Sequence, residues 1–242
     1  MITAKHASLF KSVFYRYLKF YLLKKQFGKI VVHGQLTPVE KPVLYLINHS
    51  SWWDGLILFY LVETLTKQNH YVMMDETGLK RYPFFRKCGA FSVNKSKPRS
   101  LVETFQYMEQ LMTQQQPIWV FPQGKVEHQE AVPFVFEPGL GRIMTLKEHV
   151  HVVPVTLQYV FLEEQKPVVS VMIGEGLTTA KKEKSKREYV KQAEALMTKQ
   201  YGIQKQMMID DPHFYKSPTW QSILKSSRST SDWLDAFKRT KR

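Results

Sequence analysis

The 242-residue chain is 43% hydrophobic and 23% charged, a globular balance that excludes wholesale disorder and suits one domain with a sizeable core. Its single cysteine, Cys88, rules out an intrachain disulfide and fits a reducing compartment. The formal net charge of +14 lies at the two ends. Residues 1–39 hold seven Lys and Arg and no acid, residues 40–180 are nearly neutral at −1, and residues 181–242 carry +8. Basic ends of this kind attract polyanions, either anionic lipid or nucleic acid. No zinc-finger spacing or RNA-binding aromatic motif is present, so nucleic acid is not the expected partner.

A spanning helix needs roughly 18 or more apolar residues in a row. The longest candidate, residues 43–62, is interrupted by Asn48, His49 and Asp54. The N-terminus also lacks the compact apolar run of a secretory leader. The expected address is therefore the cytosol or the cytosolic face of a membrane.

In chain order, residues 8–25 predict an amphipathic helix, with Phe10, Val13, Phe14, Tyr17, Tyr21 and Leu22 recurring at three- and four-residue steps. Lys11, Arg16, Lys19, Lys24 and Lys25 supply its charge. Such a helix can lie in the lipid interface or dock on the protein's own core, and the acid-free charge favours the interface. Residues 43–47 form a continuous apolar run that predicts a buried strand. A helix follows over 56–65, then short strands at 71–74 and 90–93. Ser100 with Glu103 has the spacing of a capping box and marks a helix start there. Pro117 closes that helix before a strand at 118–121. A helix is expected over 139–147, and strands over 152–157 and 168–173. Ser185 with Glu188 repeats the capping box ahead of a helix to about residue 200. Ser231 would cap a last short helix carrying Trp233, Leu234 and Phe237. Strands alternating with helices imply an α/β fold with a mostly parallel central sheet flanked by helices.

Three segments carry residues suited to chemistry. The first is Asn48-His49-Ser50-Ser51-Trp52-Trp53-Asp54, where a buried strand ends and a helix starts. If the first helical turn folds back beside the strand end, Asp54 reaches one ring nitrogen of His49. The other nitrogen is then left to accept a proton. A base so placed can deprotonate an alcohol as it attacks a thioester, with no serine nucleophile needed. By spacing alone, a histidine merely satisfied near a helix cap is the commoner outcome, because His and Asp five apart is a weak signal. The second segment is Phe121-Pro122-Gln123-Gly124-Lys125, where a glycine after a strand permits close approach and Lys125 would attract an anion. An ordinary turn is the alternative. The third runs from Gly89 to Lys95 and is followed by Lys97 and Arg99. It suits an anionic headgroup or a solvated loop. No Gly-x-Ser-x-Gly elbow is present, which argues against a serine hydrolase. No histidine spacing supports a metal site, so no metal is expected. Met73, Met74, Met108 and Met112 read as core filler, with an acyl tunnel lining as the other use.

Taken together and in this order, these segments resemble the glycerolipid acyltransferase superfamily. Asn48-His49-x-Ser51-x-x-Asp54 matches its first block, His-x4-Asp. Gly89 to Lys95 is similar to the second block, and Phe121 to Lys125 to the third, usually Phe-Pro-Glu-Gly-Thr. Val153-Pro154-Val155 with Gly174 is similar to the fourth. The resemblance implies a glycerol-3-phosphate acyltransferase-like fold over residues 31–204, after a membrane-associating helix at 1–30 and before a basic extension at 205–242. It implies His49 as general base and Asp54 as its orienting partner, with Asn48, Ser51, Lys95, Phe121, Pro122, Gln123, Gly124 and Lys125 around the substrates. It implies no cofactor, acyl-CoA or acyl-carrier protein as co-substrate, a lysophospholipid acceptor, and peripheral contact with an anionic membrane at its cytoplasmic face. Gln123, Lys125 and Lys95 stand where the family usually has Glu, Thr and Arg. Lys lacks the bidentate fork of Arg, so the acceptor is either a lysophospholipid or a polar lipid without phosphate, such as a glycolipid or glycosylated isoprenoid. A catalytically idle lipid-binding relative is a further alternative.

Overall fold

The structure, a computed structural model, describes residues 1–36, 42–163, 165–181 and 183–225. The helix expected after Ser231 lies outside the described residues. The chain opens with helix α1 (Ser8–Tyr17), a π-helical stretch at Leu18–Leu23 and a short α2 (Lys24–Gln26). The inner side of this segment buries Lys11, Leu18 and Leu23, while Leu9, Val13, Tyr17, Phe20 and Tyr21 are exposed. Phe14 packs on Phe59 and Phe84 at 5.2 and 5.4 Å between ring centres. The helix thus docks on the core and still presents apolar side chains outward.

Nine strands form one sheet: β1 (Lys29–His33), β2 (Val43–Ile47), β3 (Tyr71–Asp75), β4 (Ala90–Val93), β5 (Ile118–Val120), β6 (His149–Val160), β7 (Val168–Ile173), β8 (Leu177–Ala180) and β9 (Trp220–Lys225). Their order is β4-β3-β5-β2-β6-β7-β1-β9. Pairing is parallel from β4 through to β6 and again between β7 and β1. It is antiparallel at β6–β7, β6–β8 and β1–β9. One edge of the long strand β6 pairs with β8 up to Val152 and with β7 from Val155. Pro154, which has no N–H to give, falls at that change of partner. Beside it, a Cβ on Gly174 would lie 1.6 Å from Gln200 Oε1. Glycine is required there by the close approach of a helix side chain.

Both faces of the sheet are covered, which explains why β2 is buried at every position. Val43, Tyr45 and Ile47 face a cluster that includes α3 (Asp54–Leu65), while Leu44 and Leu46 face α5 (Pro98–Thr113), α6 (Gly139–Ile143) and α7 (Lys186–Asp210). Helix α3 is apolar nearly all round and buried from Leu56 to Val62, as suits a helix enclosed by protein.

Several elements differ from expectation. The capping box at Ser100 does not form. Helix α5 starts at Pro98, whose fixed φ suits the first helical turn, and Ser100 is buried inside it with Oγ unpartnered. At Ser185 the box does form, with Glu188 N donating to Ser185 Oγ at 3.3 Å and Ser185 N to Glu188 Oε2 at 2.8 Å. Helix α7 continues to Asp210, and β9 pairs with β1, so residues beyond 204 contribute to the helix layer and the sheet. Helix α6 ends at Ile143, short of 147. Strands β1, β8 and β9 and helix α4 (Glu76–Arg81) were not among the expected elements.

Candidate active site

Strand β2 delivers the chain to the C-terminal edge of the sheet, and α3 begins seven residues later at Asp54. Asn48 fixes the strand end. Its Nδ2 donates to Leu157 O at 2.9 Å, and its Oδ1 accepts from Leu157 N at 2.7 Å. With both ends of its amide engaged and the residue 1% exposed, Asn48 ties the loop to β6.

The turn at 50–53 folds back so that Asp54 meets His49. Nδ1 of His49 lies 2.7 Å from Asp54 Oδ2. The same oxygen accepts from Ser50 N at 2.7 Å and Ser51 N at 2.8 Å, while Oδ1 accepts from Tyr159 OH at 2.5 Å. Asp54 is completely buried and lies in the first turn of α3, where the helix dipole favours a carboxylate. Because the carboxylate only accepts, Nδ1 carries the hydrogen and the lone pair of the neutral ring is on Nε2. Burial, and after it the charge of Asp54, raises the pKa of Tyr159, so its hydroxyl remains a donor. Tyr159 comes from the far end of β6. Its partner in the sequence is 105 residues away, and no local pattern marks it.

The second segment closes over His49. Gln123, 4% exposed, accepts from His49 N at 2.7 Å and donates to Glu127 Oε2 at 2.8 Å. Glu127 N donates to His49 O at 2.9 Å. The ring of Phe121 lies 4.5 Å from that of His49. Pro122 is buried and accepts from Glu137 N through its carbonyl. Gly124 has φ +69°, and a Cβ there would approach Lys95 Nζ to 2.5 Å. Ser51 Oγ accepts from Trp53 N at 3.2 Å and shapes the turn.

Both lysines expected to attract an anion are paired. Lys95 Nζ is 2.6 Å from Glu137 Oε1, and Lys125 Nζ is 3.1 Å from Glu127 Oε1. Hydrogen bonds from Gln123 and then Lys125 hold the Glu127 carboxyl below its ordinary pKa. Neither glutamate was singled out in the sequence: Glu137 is 42 residues from Lys95 and meets it only in the fold, and Glu127, two residues after Lys125, carries no local mark.

A cavity of about 790 Å³ opens beside His49. His49, Phe121, Gly124, Lys125 and Lys95 line it at the C-terminal edge of the sheet, and Leu56, Phe59, Val62, Met73 and Phe85 line its apolar length. Among the described residues, no three His, Cys, Asp or Glu side chains are grouped to hold a metal. A half-buried imidazole beside an apolar cavity, with a paired polar mouth, has the chemistry to accept a proton at one end of a bound hydrocarbon chain.

Residues 29–158, more than half of the chain, match the family model named Acyltransferase, and the chain belongs to that family. It is 28% identical over 137 residues to the 1-acyl-sn-glycerol-3-phosphate acyltransferase of Chlamydomonas reinhardtii, covering 54% of this chain and 39% of that protein. The fold is similar to that of the 1-acyl-sn-glycerophosphate (LPA) acyltransferase PlsC of Thermotoga maritima, with a TM-score of 0.56 over 81% of this chain and 77% of that one, at 18% identity.

Proposed function

We propose that the protein transfers a fatty acyl chain from a thioester, acyl-CoA or acyl-carrier protein, to the hydroxyl of a 1-acylglycerol-3-phosphate-type acceptor. The single observation that carries this reading is the 2.7 Å contact between His49 Nδ1 and buried Asp54, set at the mouth of the apolar cavity. In the proposed reaction, Nε2 of His49 takes the acceptor's proton as its oxygen attacks the thioester carbonyl. The carbon–sulfur bond breaks, an ester bond forms, and the imidazolium returns the proton to the leaving thiolate. Asp54 holds the tautomer and stabilises the imidazolium. General-base assistance of this kind supplies roughly 10²–10⁴ in rate, and holding donor and acceptor side by side supplies much of the rest.

The outward apolar set Leu9, Val13, Tyr17, Phe20 and Tyr21, with lysines 19, 24 and 25 among those rings, supports peripheral binding to an anionic membrane at its cytoplasmic face. No helix among the described residues is long and apolar enough to cross a membrane.

A second acceptor class is favoured by one observation. Lys95 and Lys125 are each neutralised by a glutamate, which lessens the pull on a phosphate and suits a polyol or glycolipid headgroup. Mass spectrometry of products made from palmitoyl-CoA with lysophosphatidic acid or a glycolipid distinguishes the two. Acylated lysophosphatidic acid is the expected product. Thiol release that ignores every acceptor would overturn the transferase reading.

A further inference from the structure

The cavity is apolar along its length but ionic at its inner end. Helix α3 forms one wall, from Gly55 beside His49 to Glu63. The eight helical rises between them span about 12 Å. The opposite wall follows β3 and β4 back from Asp75, Val93 and Lys95 near the mouth to His70, Cys88 and Ala90 inside. At this inner end Lys11, carried by α1, places Nζ 2.6 Å from Glu63 Oε1 and 3.2 Å from Asn69 Oδ1. Lys11 is 8% exposed. His70 lines the same end, and Trp119 Nε1 donates to its Nδ1 at 2.7 Å. The hydrogen of the neutral ring is therefore on Nε2.

A largely desolvated ion pair of this kind, its side chains 10% and 20% exposed, is a weak source of stability, because desolvation offsets much of its attraction. Here it also faces a cavity that hydrocarbon would fill. A methyl terminus pressed against it would displace water from a carboxylate, an ammonium and an imidazole N–H and replace none of their hydrogen bonds. A hydroxyl at the far end of the chain could accept from His70 Nε2–H or Lys11 and donate to Glu63. Resting on the reading of this cavity as the acyl-binding site, we infer that Lys11, Glu63 and His70 form a polar floor. This floor selects an acyl chain whose far end bears a hydroxyl over a plain hydrocarbon long enough to reach it.

The test measures competition, with lysophosphatidic acid as acceptor, between decanoyl-CoA and ω-hydroxydecanoyl-CoA, whose extended chains match the roughly 12 Å wall. The expected preference for the hydroxylated donor is about tenfold, the scale of leaving a buried polar group unpaired. With the hexanoyl pair, whose chains end in the apolar stretch, the preference inverts. In the double variant Lys11→Met/Glu63→Leu the decanoyl donor gains at least about tenfold on its hydroxylated partner. Each readout is a ratio within one protein, so loss of folded material cancels. If the double variant does not fold, the unaltered protein still decides, because a hydroxyl-to-plain ratio near one for the decanoyl pair overturns the inference. Full turnover by a folded His49→Ala protein would instead refute the reading of the cavity, whatever the ratios.

Discussion

At the scale of single residues, the site depends on one carboxylate with four hydrogen bonds to four different donors: His49, Ser50, Ser51 and Tyr159. Replacing it by an amide places an NH₂ group among N–H and O–H donors. Asp54→Asn is therefore expected to lower kcat about 10²–10⁴-fold through the wrong imidazole tautomer, with KM little changed. It should also lower stability by about 1–3 kcal/mol, because buried donors lose their acceptor. Steady-state kinetics with chemical denaturation checks both. The His49–Asp54 contact was legible in the sequence because the two residues flank a single helix start. Tyr159 and Glu137 were not legible, since each comes from a distant stretch of chain; Glu127 lies two residues from Lys125, but no local pattern marks it. Asn48 shows the limit of reading by motif. It lies in the matching block, yet its amide is spent on the backbone of β6.

At the scale of elements, the strands most legible in the sequence are runs of five or six mostly apolar residues, such as β2 and, with Ser170 its one polar position, β7. Strand β1 follows directly on a basic helix, and β9 (Trp-Gln-Ser-Ile-Leu-Lys) mixes polar and apolar residues on an edge. Both take their conformation from mutual pairing and not from a local pattern. The two capping-box sequences diverge for a local reason: Pro98 stands two residues before Ser100 and starts the helix first, whereas nothing precedes Ser185 in this way. Ser185→Ala is accordingly expected to lower stability by about 0.5–2 kcal/mol. Ser100→Ala, which removes an unpartnered hydroxyl, is expected to be neutral or slightly stabilising. Paired thermal denaturation curves test the contrast, and equal losses would contradict it.

At the scale of the whole molecule, the N-terminal segment and the sheet meet around two histidines. Burial, then the nearby charge of Lys11, lowers His6 to about 4, and burial, then Lys11 and His6, lowers His70 to about 3. Both folded values lie below the unfolded value of 6.5, so below that pH the unfolded chain binds more protons than the native protein. Stability therefore rises with pH through this window and is lost as pH falls from about 6.5 towards 4, by at most roughly 1.4 kcal/mol per pH unit for each histidine. Glu76, Glu127, Glu130 and Glu188 are held low by their partners. What they contribute is present above the ordinary glutamate pKa and is lost only at more acidic pH. Urea midpoints measured between pH 7 and 4 should begin to fall near pH 6.5, and His6→Leu should lessen that fall. The general architecture followed from the alternation of strand and helix. The cavity did not, because its walls come from α1, α3, β3 and β4 together and its ionic floor joins residues 52 positions apart.

The proposed reaction requires the His49 imidazole as base, and thiol release by His49→Ala protein tests it most directly. With acyl-CoA and a lysophospholipid acceptor, and circular dichroism matching the unaltered protein, turnover should fall by about 10²–10⁴-fold. Near-normal release from a folded variant would contradict the assignment of His49.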